Sequence, residues 1–234
     1  MSTECQEGDK ASIRSARMNE AATRNKLYDL AAASPLIVWL GLGVVGATPK
    51  IAQMTPDWRS ALALSAQLAT IVLLGLVIGC LIIRRPAIGK TPGVTPRLVA
   101  IIGLALPSLV ALAPRTDPSP TTMFVSSAIA LSGTAAAIYA VVFLGPAFSV
   151  FPQARRLTTD GPYRVVRHPL YLAELALLLG AIWDIRQPWP LAIFACAIAI
   201  QLLRMHFEEK ILTETFPSYR DYAKRTARLV PGIY

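Results

Sequence analysis

Metal ligands and acids are both scarce in this sequence, and each scarcity excludes something. The chain has only two histidines and three cysteines in 234 residues. Cys5, Cys80 and Cys196 lie far from one another, without the short spacing of a zinc site, so no metal centre is expected. Charged residues make up only 16% of the chain, and 14 acids face 23 lysines and arginines. There is no internal repeat. Residues 1–26 are polar, lack the apolar core of a signal peptide, and are expected to be a disordered cytoplasmic tail.

What fills the chain instead is hydrocarbon. Hydrophobic residues make up 54% and the mean hydropathy is +0.49, outside the range of soluble domains. From Ser60 to Ile83 the chain runs 24 residues without a charge. About 20 apolar residues cross a ~30 Å hydrocarbon core, so this is a spanning helix. Five further spans are expected at Leu27–Ala47, Leu98–Ala113, Thr122–Val150, Leu170–Ile185 and Trp189–Met205, with Pro35, Pro107 and Pro146 inside them. The expected fold is all-α: a polytopic membrane protein of about six transmembrane helices.

The basic residues alternate from loop to loop. Arg84, Arg85, Lys90 and Arg97 occupy 84–97 without an acid, and Arg155, Arg156, Arg164 and Arg167 meet only Asp160 in 152–169. Five basic residues, Lys210, Arg220, Lys224, Arg225 and Arg228, follow Met205. The intervening loops 48–59, 114–121 and 186–188 carry two, one and one. This pattern predicts six spans with both termini and the basic loops in the cytoplasm. The net charge of +9 then reflects topology and membrane lipids, not nucleic acid.

Two polar stretches stand out against this background. In "DGPYRVVRHPLYLAE", Asp160-Gly161-Pro162 is a turn signal. His168-Pro169 reads as a helix start with proline at the first helical position. Such a start points unpaired N–H groups at the loop, which suits an anionic ligand group. Tyr171 and Glu174 follow His168 at spacings of three, on one face. The second stretch runs from Arg204 to the end. Arg204 and Glu208 are four apart, and Leu212, Phe216, Tyr219 and Tyr222 among charges make an amphipathic segment broken at Pro217. Read singly, the arginines are positive-inside anchors, the tyrosines interfacial aromatics, and Arg204–Glu208 an ion pair at a helix end.

Read together and in order, "GPYRVVRHPLYLAE" and "RxxxEExxLxxxFxxYxxYxxxxxRLVPGI" resemble the isoprenylcysteine carboxyl methyltransferase family, part of a wider group of integral-membrane methyltransferases that includes phospholipid N-methyltransferases. The resemblance covers about residues 145–234. It implies S-adenosylmethionine in a cytoplasmic pocket built from membrane helices, with a lipophilic or prenylated substrate reaching it from the bilayer. Carried over by position, the cofactor-binding residues are Arg156, Leu157, Thr158 and Tyr163 in a loop over 152–171 that also takes in Arg155, then His168, Pro169, Leu170 and Tyr171 at the helix start, and Glu208. Arg204 falls on the substrate-binding arginine, and Arg204 and Glu208 together on the catalytic pair. Ala173 stands where many members have glycine, and Arg155-Arg156 replaces the His-Thr of the eukaryotic enzymes. The implied reaction is methyl transfer to the carboxylate of an isoprenylcysteine-like molecule, which needs no general base. A phospholipid amine or a thiol would have to lose a proton, to His168, His206 or Glu209. A sterol-type reductase using NADPH shares an "HPxY"-like stretch, but the double glutamate after Arg204 favours the methyltransferase.

The implied organisation is a tail over 1–26, three helices and their loops over 27–121, and a methyltransferase core over 122–234. Reporter fusions at Gly89, Asp160 and the C-terminus should report cytoplasm, and fusions at Thr55 and Asp117 the opposite side. An outside signal at Asp160 would separate the site from its cofactor pool and sink this reading.

Overall fold

The computed structural model describes residues 28, 30–31, 33–46, 57–110, 119–183, 185 and 188–232. The expected tail over 1–26 and most of the weakly basic connectors lie outside them. The described chain is mostly helical: α1 (Ala33–Gly46), α2 (Trp58–Ile83), α3 (Thr95–Val110), α4 (Pro120–Leu144), α5 (Pro169–Ile182), α6 (Trp189–Thr215) and α7 (Tyr219–Arg225), with two-residue strands β1 (Gly89–Lys90) and β2 (Gln153–Ala154).

Local chemistry sets the helix ends. Asp57 caps α2 by accepting the Ser60 N–H at 2.7 Å, and Ser119 caps α4 by accepting that of Thr122 at 3.2 Å, each satisfying a backbone donor that the helix leaves over. The expected span Thr122–Val150 runs too far. α4 stops at Leu144 because Gly145 takes φ +49° and Pro146 lies in a short 3-10 turn; proline has no N–H to continue a helix. The expected span Trp189–Met205 lies within α6, which carries on through Glu208 as expected and continues to Thr215, just before Pro217. The run Gly41-Leu-Gly-Val-Val-Gly46 has the spacing of a dinucleotide loop, yet it lies inside α1. No strand-to-helix turn exists there to hold a phosphate.

Helices α2, α4 and α6 are long and apolar enough to cross a membrane, while α1, α3 and α5 are shorter apolar helices. At 1.5 Å per residue, the 14 residues of α5 cover roughly 21 Å of a ~30 Å core. Exposed Leu68, Val72, Val142, Leu191 and Leu203 turn outward, as residues facing lipid do.

The tightest contact is α4 against α5. A Cβ on Gly133 would stand 2.8 Å from the backbone nitrogen of Leu177, and one on Gly180 would stand 2.7 Å from that of Ala130. Membrane helices lack a hydrophobic drive to associate and instead bring backbones together across small residues. α2 packs on the other side of α4 through Cys80, Leu81, Val141 and Phe148. α3 packs on α6, and Val110, Leu178, Ile182 and Ala197 tie α3, α5 and α6 together.

The three basic segments are stitched together at one end of the bundle. Gly89 pairs with Ala154 and Lys90 with Gln153 in an antiparallel ladder. The Arg155 guanidinium donates to the Arg85 carbonyl. Val166 and Ala227 form a parallel bridge, through which the Arg167 N–H meets the Ala227 carbonyl at 2.9 Å.

The α4–α5 contact makes a clear prediction. Gly180→Leu should destabilise the protein by about 1–3 kcal/mol through overpacking, whereas Gly75→Leu, whose Cβ meets nothing within 4 Å, should remain near wild type. Thermal inactivation in detergent distinguishes them, and equal losses would refute the close-packed interface.

Candidate active site

The polar loop is built to deliver α5. Asp160 leads into a 3-10 turn over Gly161–Arg164, and Gly161 takes φ +58°, a conformation open to glycine at little cost. Pro169 then starts α5, with His168 as its cap residue, as expected.

From that start, α5 and α6 meet in an antiparallel ladder of polar side chains. His168 is buried, and its Nε2 lies 3.1 Å from Glu209 Oε1. One turn on, the Tyr171 hydroxyl donates to Glu208 Oε2 at 2.7 Å, with its ring stacked on that of His168 at 5.4 Å. A further turn on, Glu174 Oε2 accepts from Arg204 Nη1 at 3.0 Å and from Gln201 Nε2 at 2.5 Å. The Arg204 guanidinium lies 4.6 Å from the centre of the Tyr171 ring, a cation–π contact. Arg204 thus pairs across to Glu174, and the i,i+4 pairing with Glu208 that its spacing allows is replaced by these cross-helix bonds. Glu209 is enclosed by His168, Arg167 and Arg228, the last two at 3.2 Å.

Three cavities follow this ladder in a row. The smallest, about 50 Å³, lies between the 153–163 loop and the C-terminal tyrosines, and is lined by Arg156, Leu157, Thr158, Tyr163, Tyr219 and Tyr222. A central one of about 150 Å³ holds His168, Leu170, Tyr171, Glu174, Arg204 and Glu208 against leucines of α1 and α2. Tyr163, Arg167 and Glu208 line both. The third, about 500 Å³, is walled by Trp39, Leu74, Leu104, Pro107 and Leu178, and shares Glu174 and Arg204 with the central one.

Most of the residues expected at the site line these cavities. Pro169 does not; it is buried and opens the helix. Arg155 lines none of them either, because its guanidinium braces the loop on Arg85 and Gln153. His206 is exposed and lines none of the three, which removes it as a proton acceptor there. Sequence reasoning did not assign Glu174, Gln201, Tyr219 or Tyr222 to the site. Gln201 had a signal: it is a lone amide in an apolar run, three residues before Arg204, and polar groups at such depth are expensive unless used.

The tyrosines at the loop side are held neutral. Burial and then the nearby Glu208 charge keep the Tyr163 phenol well above its ordinary range. Burial foremost pushes Tyr222 up to about 12, and its hydroxyl donates to the Tyr163 carbonyl at 2.6 Å. The Tyr219 hydroxyl and Thr158 Oγ1 are buried without a hydrogen-bond partner. Among the described residues, no group of three His, Cys, Asp or Glu side chains is placed to hold a metal ion.

One comparison bears on the kind of protein this arrangement resembles. Residues 120–218 match the phospholipid methyltransferase family. The phospholipid methyltransferase match takes in α4, the loop and the whole α5–α6 ladder, and agrees with the integral-membrane methyltransferase group that the two motifs resemble. Two curated proteins are similar over shorter stretches. Cobalt-zinc-cadmium resistance protein CzcN of Cupriavidus metallidurans is 34% identical over 78 residues, 33% of this chain and 36% of its own. Nickel-cobalt-cadmium resistance protein NccN of Alcaligenes xylosoxydans xylosoxydans is 32% identical over 82 residues, 35% of this chain and 38% of its own. The chain spans little more than a third of the length of these relatives.

Tyr222→Phe should cost about 1–3 kcal/mol, because it leaves a buried carbonyl unpaired. The raised phenol fixes the pH sense. The wild-type advantage is constant below the ordinary value of 10 and falls as pH rises towards 12. Thermal inactivation of both proteins between pH 7 and 11 checks this, and a gap that widens with pH would contradict it.

Proposed function

We propose that the protein is an S-adenosylmethionine-dependent methyltransferase of the membrane. Its acceptor is lipophilic, and the first choice is the carboxylate of an isoprenylcysteine-like molecule. The match of residues 120–218 supports a membrane methyltransferase, and enzymes of that family generally use S-adenosylmethionine. The observation that carries the finer reading is Arg204. Its side chain is 10% exposed and lines both the central and the apolar cavity, while its Nε is buried with no hydrogen-bond partner. A guanidinium edge in that state suits the two oxygens of a carboxylate.

The residues on the loop side fit the cofactor. Thr158 Oγ1 and the Tyr219 hydroxyl are unpartnered polar atoms in the wall of the smallest cavity, suited to a nucleoside. Glu208, steadied by Tyr171, would accept hydrogen bonds from cofactor hydroxyl or amine groups, and the start of α5 would receive its carboxylate. When bound, S-adenosylmethionine supplies a methyl group already activated as a sulfonium. The protein's part is then to align and to exclude water. Arg204 orients the acceptor carboxylate, the leucines of α1 and α2 keep the central cavity dry, and the apolar cavity takes the acceptor's hydrocarbon. In this reading residues 122–234 form the catalytic part, helices over 27–121 wall the acceptor side, and the stitched basic end faces the cytoplasm.

Substitutions at Arg204 and Glu208 test the division of labour. Arg204→Lys should spare cofactor affinity and lower turnover, because lysine keeps the charge and loses the planar fork. A charge-assisted contact of ~1.5–3 kcal/mol corresponds to a loss of about 10- to 150-fold. Glu208→Gln should weaken cofactor binding first. If cofactor affinity and turnover stay near wild type in both variants, the active site lies elsewhere.

A further inference from the structure

We propose that Glu174 and Gln201 are positioning residues that clamp the Arg204 fork and decide which edge of it the methyl acceptor meets. The proposal rests on the reading of Arg204 as the acceptor's anchor. A carboxylate and an amide on apolar helices are costly unless each has a partner, and here both accept from one nitrogen. Arg204 Nη1 donates to Glu174 Oε2 at 3.0 Å and to Gln201 Oε1 at 2.9 Å. Gln201 Nε2 donates to the same Glu174 oxygen at 2.5 Å, closing a ring of three side chains. The Tyr171 ring, 4.6 Å from the guanidinium carbon, fixes the plane of the fork. Gly103 leaves room for its stem, since a Cβ there would stand 3.0 Å from Arg204 Cδ.

A rigid planar fork held at one corner and in its plane has one orientation. The edge so presented includes Nε, the nitrogen without a partner. The location supports a role beyond neutralising a charge. Glu174 and Arg204 line both the central and the apolar cavity, and Gln201 lines the apolar one. The clamp therefore stands where an amphiphile's head would pass from hydrocarbon to the reacting methyl. Gln201, 6% exposed, holds the clamp from the buried side.

The test uses the full-length protein in lipid nanodiscs, with tritiated S-adenosylmethionine and a farnesylated N-acetylcysteine as acceptor. Glu174→Ala should raise the acceptor KM by about 10- to 100-fold, the scale of a misplaced reacting group, while cofactor affinity stays within about twofold. Glu174→Gln keeps an oxygen for Nη1 and should recover most of the loss. In an Arg204→Lys background, Glu174→Ala should add little, since the group it positions is already gone. Direct binding of the farnesylated probe should follow the same order. Three results would overturn the proposal: additive effects of the two substitutions, a loss of folded protein with KM unchanged, or a pH–rate limb abolished by Glu174→Gln, which would make the carboxylate a proton acceptor. If Arg204→Lys is harmless, or the wild type does not bind the probe, the reading of Arg204 itself falls. If Arg204→Lys is harmful and Glu174→Ala is not, only the clamp falls.

Discussion

Hydrocarbon offers no partner to a charge, and that single constraint organises this protein. Every polar group carried into the bundle must find another inside it. The α5–α6 ladder is the answer reached here: His168 with Glu209, Tyr171 with Glu208, and Glu174 with Arg204 and Gln201. Such pairing requires α5 to sit at a defined height against α6. On its other contact, α5 is packed closely against α4 at Gly133 and Gly180. Small residues thus line one interface of α5 and charged residues the other.

The same constraint separates the chemistry into zones. Polar hydroxyls and backbone gather at the loop end, ion pairs in the middle, and bare hydrocarbon beyond them. Helices α1 to α3 carry no part of the matched family region, yet they supply leucines to the two inner cavities. On the proposed reading, variation in those helices would reshape the space around the acceptor without disturbing the ladder.

The three long apolar helices were legible because apolar length is a direct requirement of the bilayer. Helix starts written in proline, such as Pro169, were legible too. The ends of α4 and α6 show where hydropathy and helix part, for one cause. Hydropathy reports the solvent around a residue, not its backbone. Ala147 to Val150 remain largely apolar after the helix has ended at Leu144, and Phe207 to Thr215 turn polar while the helix continues. The residues of the two motifs were legible as a set, but their pairing was not. Nothing in one sequence says that Glu174 will meet Arg204 rather than Glu208 meeting it from the same helix. The β1–β2 stitch was equally hidden, because two residues on each strand carry no periodicity.

The unbroken run of α6 from Trp189 to Thr215 has a geometric consequence. On the proposed reading, the anchor for the acceptor and the anchor for the cofactor are four residues apart on one rod. Their separation along its axis is therefore about 6 Å, set by the helix rise, and no rocking of one helix against another can change it. The helix acts as a ruler. An acceptor whose reactive oxygen sits one bond too far from its gripped end would bind and still miss the methyl group, so selectivity would follow length as much as charge.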